Sequence, residues 1–287
     1  MSSPDDRSLS YCAREVRQHD HDRFLTGLFA PAARREALYA LYAFNLEVAR
    51  TAELVSEPML GRIRLQWWRE AIDEIYAGTP RRHHVVEPLA DAVQRHGLSR
   101  ALFDQLIDGR ERDLEDAPPV DLSALETYAA ATSSSLVRLA VESLADDPER
   151  RDAAAPAAEH VGIAWALTGL IRAVPFHARQ KRLYLPVALT AAAGLDVGAL
   201  FELKTSPALC QVVRLLAERA EEQLGLARAR QSRVGRKFLP ALLPAVLARQ
   251  HLAVLRRAGY DPLKPEVQAQ SGMRVWRLAA AALRGRF

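Results

Sequence analysis

The chain has 287 residues, of which 49% are apolar and 26% charged, and a formal net charge of +4. This is the make-up of an ordinary folded protein, long enough to bury a large core without disulfide or metal staples. The mild positive excess is spread along the chain, so it permits contact with anionic lipid or acidic partners and gives no argument for nucleic acid.

Residues 1–10 are expected to form a flexible N-terminus ahead of a helical domain spanning 11–287. Met1–Asp6 is polar and acidic and lacks the basic-then-apolar order of a secretory leader. Two distant cysteines, Cys12 and Cys210, make neither a metal-ligand spacing nor a disulfide framework and read as thiols of a reducing compartment. His19-Asp20-His21-Asp22 looks metal-like on paper, but the weight falls against a specific metal site. Pro31 opens a helix over Ala32–Ala52, with Leu38, Leu41, Tyr42, Leu46 and Ala49 on one stripe. Pro58 opens the next, to about Tyr76, and Arg81–His84 is a basic turn in which His83-His84 reads better as solvated than as a metal pair. Helices over Pro88–Arg95 and Arg100–Asp113 follow, then a loop at Asp116–Val120. A long helix covers Ala124–Leu144 and another Arg150–Ala173, after which Pro175 and Pro186 bracket an irregular basic stretch, Phe176–Leu185. Short helices at Leu189–Ala193 and Val197–Leu203 precede a long one from Pro207 to about Arg230. Pro240 and Pro244 should kink or delay the first turns of a helix over Lys237–Arg257, and a last helix spans Val267–Leu283. The longest uncharged stretches, Val161–Ile171 and Tyr184–Leu195, are far shorter than the ~18 apolar residues of a membrane span. The expectation is an all-α, single-domain bundle, cytoplasmic, with any membrane contact peripheral.

Three stretches carry most of the chemical information: Tyr39–Glu53 (YALYAFNLEVARTAE), Arg64–Ala71 (RLQWWREA) leading to Tyr76-Ala77-Gly78, and Ile171–His177 (IRAVPFH) followed by Arg182–Pro186 (RLYLP). With the approach Pro31–Tyr42 and the segment Asp108–Leu114 (DGRERDL), they resemble, in order, the signature segments of the squalene/phytoene synthase family, over about Tyr11 to Tyr260. The resemblance implies a bundle of helices around a deep central cavity. It also implies, for active members, head-to-head joining of two prenyl diphosphates by Mg²⁺ held on two D-x-x-x-D helices. Carboxylates at i and i+4 share a helix face and can address one metal cluster.

This sequence departs from that pattern where the carboxylates should be. The first motif falls on Ala49, Arg50 and Glu53, the second on Arg172, Ala173, Phe176 and His177, and Glu53 alone keeps an acid. Mg²⁺-dependent ionisation is therefore expected to be absent, with no metal and no cofactor, Mg²⁺ entering only if an enzymatic reading holds. The replacements, together with Gly61-x-x-Arg64-x-Gln66-x-Trp68 and Arg172-Ala173-x-Pro175-x-His177, resemble the branch formed by the mitochondrial complex I assembly factor of this fold and its bacterial relatives. That implies a non-catalytic role in assembling the respiratory NADH:quinone oxidoreductase, with its subunits or assembly factors as partners, at or near the inner membrane.

Arg50, Arg172, His177, Arg182 and Tyr184 are candidates for a metal-free site for a lipid phosphate or prenyl phosphate, since guanidinium forks suit phosphate oxygens. The plainer alternative pairs each arginine with a neighbour, Arg50 with Glu47 or Glu53. Tyr39, Tyr42, Phe44, Trp67 and Trp68 either line a lipid cavity or pack the core. Ser133-Ser134-Ser135 lacks a nucleophile elbow and fits close helix packing. Two other functions stay open: a prenyltransferase that still holds diphosphate through Arg50, Arg172 and Arg182, and a lipid carrier that uses the cavity without chemistry.

Overall fold

Local sequence decides where the helices start. Ser10, Asp20, Asp121, Asp147, Asp196 and Ser206 each stand one residue ahead of a helix and accept a hydrogen bond from a backbone N–H of its first turn, satisfying a donor the helix cannot. Prolines 58, 148, 207 and 244 occupy first turns where no N–H is needed. The computed structural model describes residues 9–269 and 272–287. In chain order these starts give α1 (Tyr11–His19), α2 (His21–Gly27), α3 (Ala32–Ala49), α4 (Thr51–Leu54), α5 (Pro58–Tyr76), α6 (Val86–His96) and α7 (Arg100–Glu111), closed by a 3-10 turn at Arg112–Leu114. Then come α8 (Leu122–Ala129), a π-helical turn at Ala130–Ser134, α9 (Ser135–Leu144), α10 (Pro148–Arg179), α11 (Val187–Ala192), α12 (Val197–Phe201) and α13 (Pro207–Ala229). The chain finishes with α14 (Leu239–Leu242), α15 (Pro244–Arg257), α16 (Pro265–Gln268) and α17 (Arg274–Arg284). The protein is all-α, with no strand among the described residues.

The organising element is α10, which packs against the π turn, α9, α13 and α15. Among the described residues it is the one unbroken helix long and apolar enough to cross a membrane, yet 56% of its most apolar window is buried inside the protein, as befits a core helix. Its close approach to the π turn depends on Gly162, where a Cβ would lie 2.3 Å from Ser134 Cα. Ser134 adds a hydrogen bond from Oγ to the Glu159 carbonyl at 2.7 Å. Small hydroxyls therefore serve close packing here, as the Ser133–Ser135 run suggests. Tyr39, Tyr42, Phe44 and Trp68 are buried core residues, with Phe44 edge-on to both Trp68 and Phe103. Trp67 is half-buried, with the Arg81 guanidinium 4.8 Å from its ring centroid.

Three boundaries differ from the sequence expectation. The helix expected over Ala32–Ala52 stops at Ala49, and a new short one starts at Thr51. The stretch after Pro175 is not irregular as far as Arg179: α10 runs through both Pro156 and Pro175. An internal proline costs about 3 kcal/mol, but burial from Ala154 to Ala178 along α10 outweighs that local penalty. The last expected helix divides into α16 and α17, and its residues 270 and 271 lie outside the described residues, as do 1–8 of the expected N-terminal tail. The proline effect near 240 is as expected, a 46° bend between the segment ending at Leu242 and α15.

Candidate functional site

A cavity of about 250 Å³ opens beside α10. The helix presents Trp165, Ala166, Gly169, Leu170, Ala173, Phe176 and His177 to it, a stripe at the i, i+3, i+4 spacing of one helix face. Facing elements supply Ala49, Ala52 and Glu53 from α3 and α4, Arg110 and Asp113 from the end of α7 and its 3-10 turn, and Tyr128, Thr132 and Ser133 from α8 and the π turn. The loop after α10 adds Arg182 and Tyr184. The two degenerate motif segments thus do meet at one cavity.

Its polar end is built on buried Asp113. Tyr128 Oη donates to Asp113 Oδ1 at 2.9 Å, Arg110 Nη1 to Oδ2 at 3.1 Å, and Tyr184 Oη to Oδ1 at 3.3 Å. Arg110 also donates to Tyr128 Oη at 2.7 Å. Burial, reinforced by the Asp113 carboxylate, pushes the Tyr184 phenol up to about 12, so it is a neutral donor. Arg182 Nη2 donates to the carbonyl oxygens of Asp113 at 2.5 Å and Glu115 at 3.1 Å. His177 packs at a tilt of 34° against Tyr184, with ring centroids 4.3 Å apart. Burial, helped by the nearby Arg182 charge, lowers its imidazole to about 4, against a smaller opposing pull from Asp113.

These positions correct the basic cluster drawn from the sequence. His177, Arg182 and Tyr184 converge, but His177 is neutral at pH 7 because it is buried. Arg50 and Arg172 lie elsewhere: Arg172 is one residue, about 100° of helix, off the α10 stripe that meets the cavity, and Arg50 stands at the break between α3 and α4. Arg50 lines a separate small pocket with Glu47. Neither expected pairing forms: Glu47 is held by Arg64 at 2.5 Å, and among the described residues Arg50 has no ion pair. Arg172 points to buried Asp22, Nη1 to Oδ2 3.6 Å, beside His251 at 4.0 Å and Arg274 at 2.6 Å. Burial works against the charge on Asp22, yet His251, Arg274 and Arg172 hold its carboxyl below the usual range. That cluster, and Asp20 as cap and partner of Arg23 at 2.6 Å, account for both acids of the His19–Asp22 run. His83 and His84 are also more than solvated turn residues: His83 packs edge-on against Trp67 and Trp68, and His84 stacks on Tyr11.

The cavity does not fit a Mg²⁺ cluster. A hard dication needs several oxygen ligands. The motif positions offer methyl groups at Ala49 and Ala173, a phenyl ring at Phe176, an imidazole, and one exposed carboxylate, Glu53. The other acid, Asp113, is committed to Arg110, Tyr128 and Tyr184. Among the described residues no group of three His, Cys, Asp or Glu could hold a metal.

The arrangement, helices around a cavity at which the two motif segments meet, is that of an isoprenoid-synthase-like bundle. The squalene/phytoene synthase family model matches residues 16–278, so the chain belongs to that family. It is 31% identical over 261 residues to the NADH dehydrogenase (ubiquinone) complex I assembly factor 6 of Rattus norvegicus, covering 91% of this chain and 78% of the relative. It is 29% identical to a phytoene synthase of Arthrospira platensis, covering 100% and 96%. A dehydrosqualene synthase structure superposes with a TM-score of 0.82 at 20% identity, covering 96% of this chain and 94% of the other. Relatives named as synthases and relatives named as assembly factors therefore share this fold.

Proposed function

We propose that this protein is a non-catalytic member of the family that supports assembly of respiratory complex I, working as a scaffold for its subunits or assembly factors, and that it does not join prenyl diphosphates. The observation that carries the non-catalytic half is the chemistry of the motif positions. Where a diphosphate would be held by metal-bound carboxylates, this cavity presents Ala49, Ala173, Phe176 and a neutral His177. Without metal-ion charge to take up the leaving diphosphate, ionisation loses its main electrostatic support. The similarity to complex I assembly factor 6 over 91% of the chain supports the assembly half. Deleting the gene and measuring assembled NADH:quinone oxidoreductase on native gels, with prenyl lipids quantified in parallel, tests both halves. The expected result is loss of assembled complex with isoprenoids unchanged. Intact complex together with a missing isoprenoid would establish a prenyltransferase instead, as would Mg²⁺-dependent diphosphate release from farnesyl or geranylgeranyl diphosphate by the purified protein.

A further inference from the structure

The net charge of +4 is less evenly spread than the overall count suggests. Residues 223–260 and 267–287 hold twelve arginines and lysines and no aspartate or glutamate, so the remainder of the chain is net negative. Three of the twelve are matched by acids: Lys237 by Asp146, Arg256 by Glu221 and Arg274 by Asp22. Arg228, Arg233, Arg277, Arg284 and Arg286 are exposed and make no ion pair among the described residues. The turn carrying Arg233 lies against the end of α17 that carries Arg284 and Arg286. Arg236 donates there to the carbonyl oxygens of Ala282 at 3.3 Å and Leu283 at 2.7 Å, and Gln231 to that of Gly285 at 3.1 Å.

One side of α17 is fixed to the body of the protein. Leu278 and Phe287 are buried, and buried Arg274 donates to Asp22 at 2.6 Å. The opposite side of such a surface helix is ordinarily polar, but here it is apolar. Trp276 and Leu283, seven residues apart and so on one face, are 70% and 80% exposed, and Val275 beside them is 50% exposed. Arg277 and Arg284 each follow one of these two residues, about 100° further round the helix, and so form a basic flank along the apolar crest. Residues 272–287 contain no acid, amide or hydroxyl side chain, so this surface offers guanidinium donors and no oxygen acceptor. A protein surface, with donors and acceptors intermixed, would leave its donors unmatched there. Anionic lipid presents phosphate oxygens above hydrocarbon, which suits both the guanidinium forks and the apolar crest. Tryptophan favours the headgroup level, and arginine can lie along it with its charge at the phosphates.

We propose that the outward face of α17, with the adjoining turn at residues 231–236, docks on the surface of an anionic lipid bilayer. Trp276 and Leu283 enter the headgroup region, while Arg277, Arg284, Arg286 and Arg233 meet lipid phosphates. With 11 residues the helix is too short to span and lies in the interface. Because Arg274, Leu278 and Phe287 fix α17 to the bundle, docking also fixes how the whole protein faces the bilayer. This goes beyond the assembly reading and does not rest on it, because vesicle binding is measured on the purified protein and assembly in the deletion strain.

The test is flotation of the purified full chain with vesicles of phosphatidylcholine, with and without phosphatidylglycerol, together with tryptophan fluorescence against vesicles whose acyl chains are brominated. The protein should bind the phosphatidylglycerol vesicles at least tenfold tighter than the neutral ones. Brominated lipid should quench the emission, and Trp276→Phe should remove that quenching. Trp276→Ala/Leu283→Ala and Arg277→Glu/Arg284→Glu should each weaken binding at least tenfold with the melting temperature preserved, since all four side chains are exposed. Three results would each overturn the proposal: no binding to the anionic vesicles, equal binding by Trp276→Ala/Leu283→Ala, or binding carried by charge alone without bromolipid quenching, the pattern of a site for an acidic protein.

Discussion

Alanine at Gly162 should destabilise the protein even though alanine is the better helix former. The added Cβ would lie 2.3 Å from Ser134 Cα and 2.6 Å from both Ser134 N and Oγ. Carbon atoms in contact sit about 3.5–4.0 Å apart, so α10 and the π turn must separate by more than an ångström, and the obstacle is backbone that cannot rotate away. Overpacking of this kind costs about 3 kcal/mol at the upper end of its usual range. Alanine returns about 1 kcal/mol of helix propensity, leaving a net loss of roughly 2 kcal/mol. For a chain of this size that is a fall in melting temperature of about 3 °C. Gly225 on α13 is the matched control: it is exposed, and a Cβ there meets nothing within 4 Å. Gly225→Ala should therefore raise stability by up to about 1 kcal/mol. Thermal melts followed by circular dichroism measure both. If Gly162→Ala melted at or above the unaltered protein, the close approach of α10 to the π turn would be wrong.

The remaining expectations concern charge. Asp22→Asn should cost about 3–5 kcal/mol, the usual penalty for breaking a buried ion pair from one side, because it strips the carboxylate from Arg274 and Arg172. Hydrogen exchange should show α17 loosening first, since Arg274 opens that helix. For His177 the folded value, about 4, lies below the ordinary 6.5. The unfolded chain takes up a proton in that window and the folded one does not, so stability is full above about pH 6.5 and declines as pH falls towards 4. Burial lowers His83 and His96 as well, so His177→Phe should reduce the loss of urea stability between pH 7 and 5 without abolishing it. Millimolar Mg²⁺ should leave the melting temperature unchanged, because a dication bound to the folded state would raise it by mass action.

Much of the architecture was legible because helix starts are written locally. Pro58 and Tyr76 bound α5 just as the sequence suggests, and Pro207 opens α13. Pro175 misled because the breaking rule is local while α10 is held by its neighbours. The error mattered for function: it put Phe176 and His177 in a loop, when their place on the helix aims them into the cavity and turns Arg172 away from it. Arg182 and Tyr184 could be found from the R-L-Y-L-P segment. Asp113, on which the polar end is built, was hidden in D-G-R-E-R-D-L, where only the Arg110–Asp113 spacing of three hints at a pair. Nothing in sequence order joins Asp113 to Tyr128 and Tyr184, which come from separate elements. The neutral state of His177 follows from burial and is invisible in composition.

The π turn at Ala130–Ser134 is one residue longer than an α-helix would need there. It keeps two halves of one rod out of phase: Tyr128 reaches the cavity before it, and the buried face of α9 from Leu136 to Leu144 follows it. Deleting a single residue in this turn would let the rod wind into regular α-helix and rotate one half against the other by about 100°. With α9 anchored in the core, Tyr128 and Ser133 would swing off the cavity wall together. One codon therefore decides whether Tyr128 and Ser133 stand on the cavity wall.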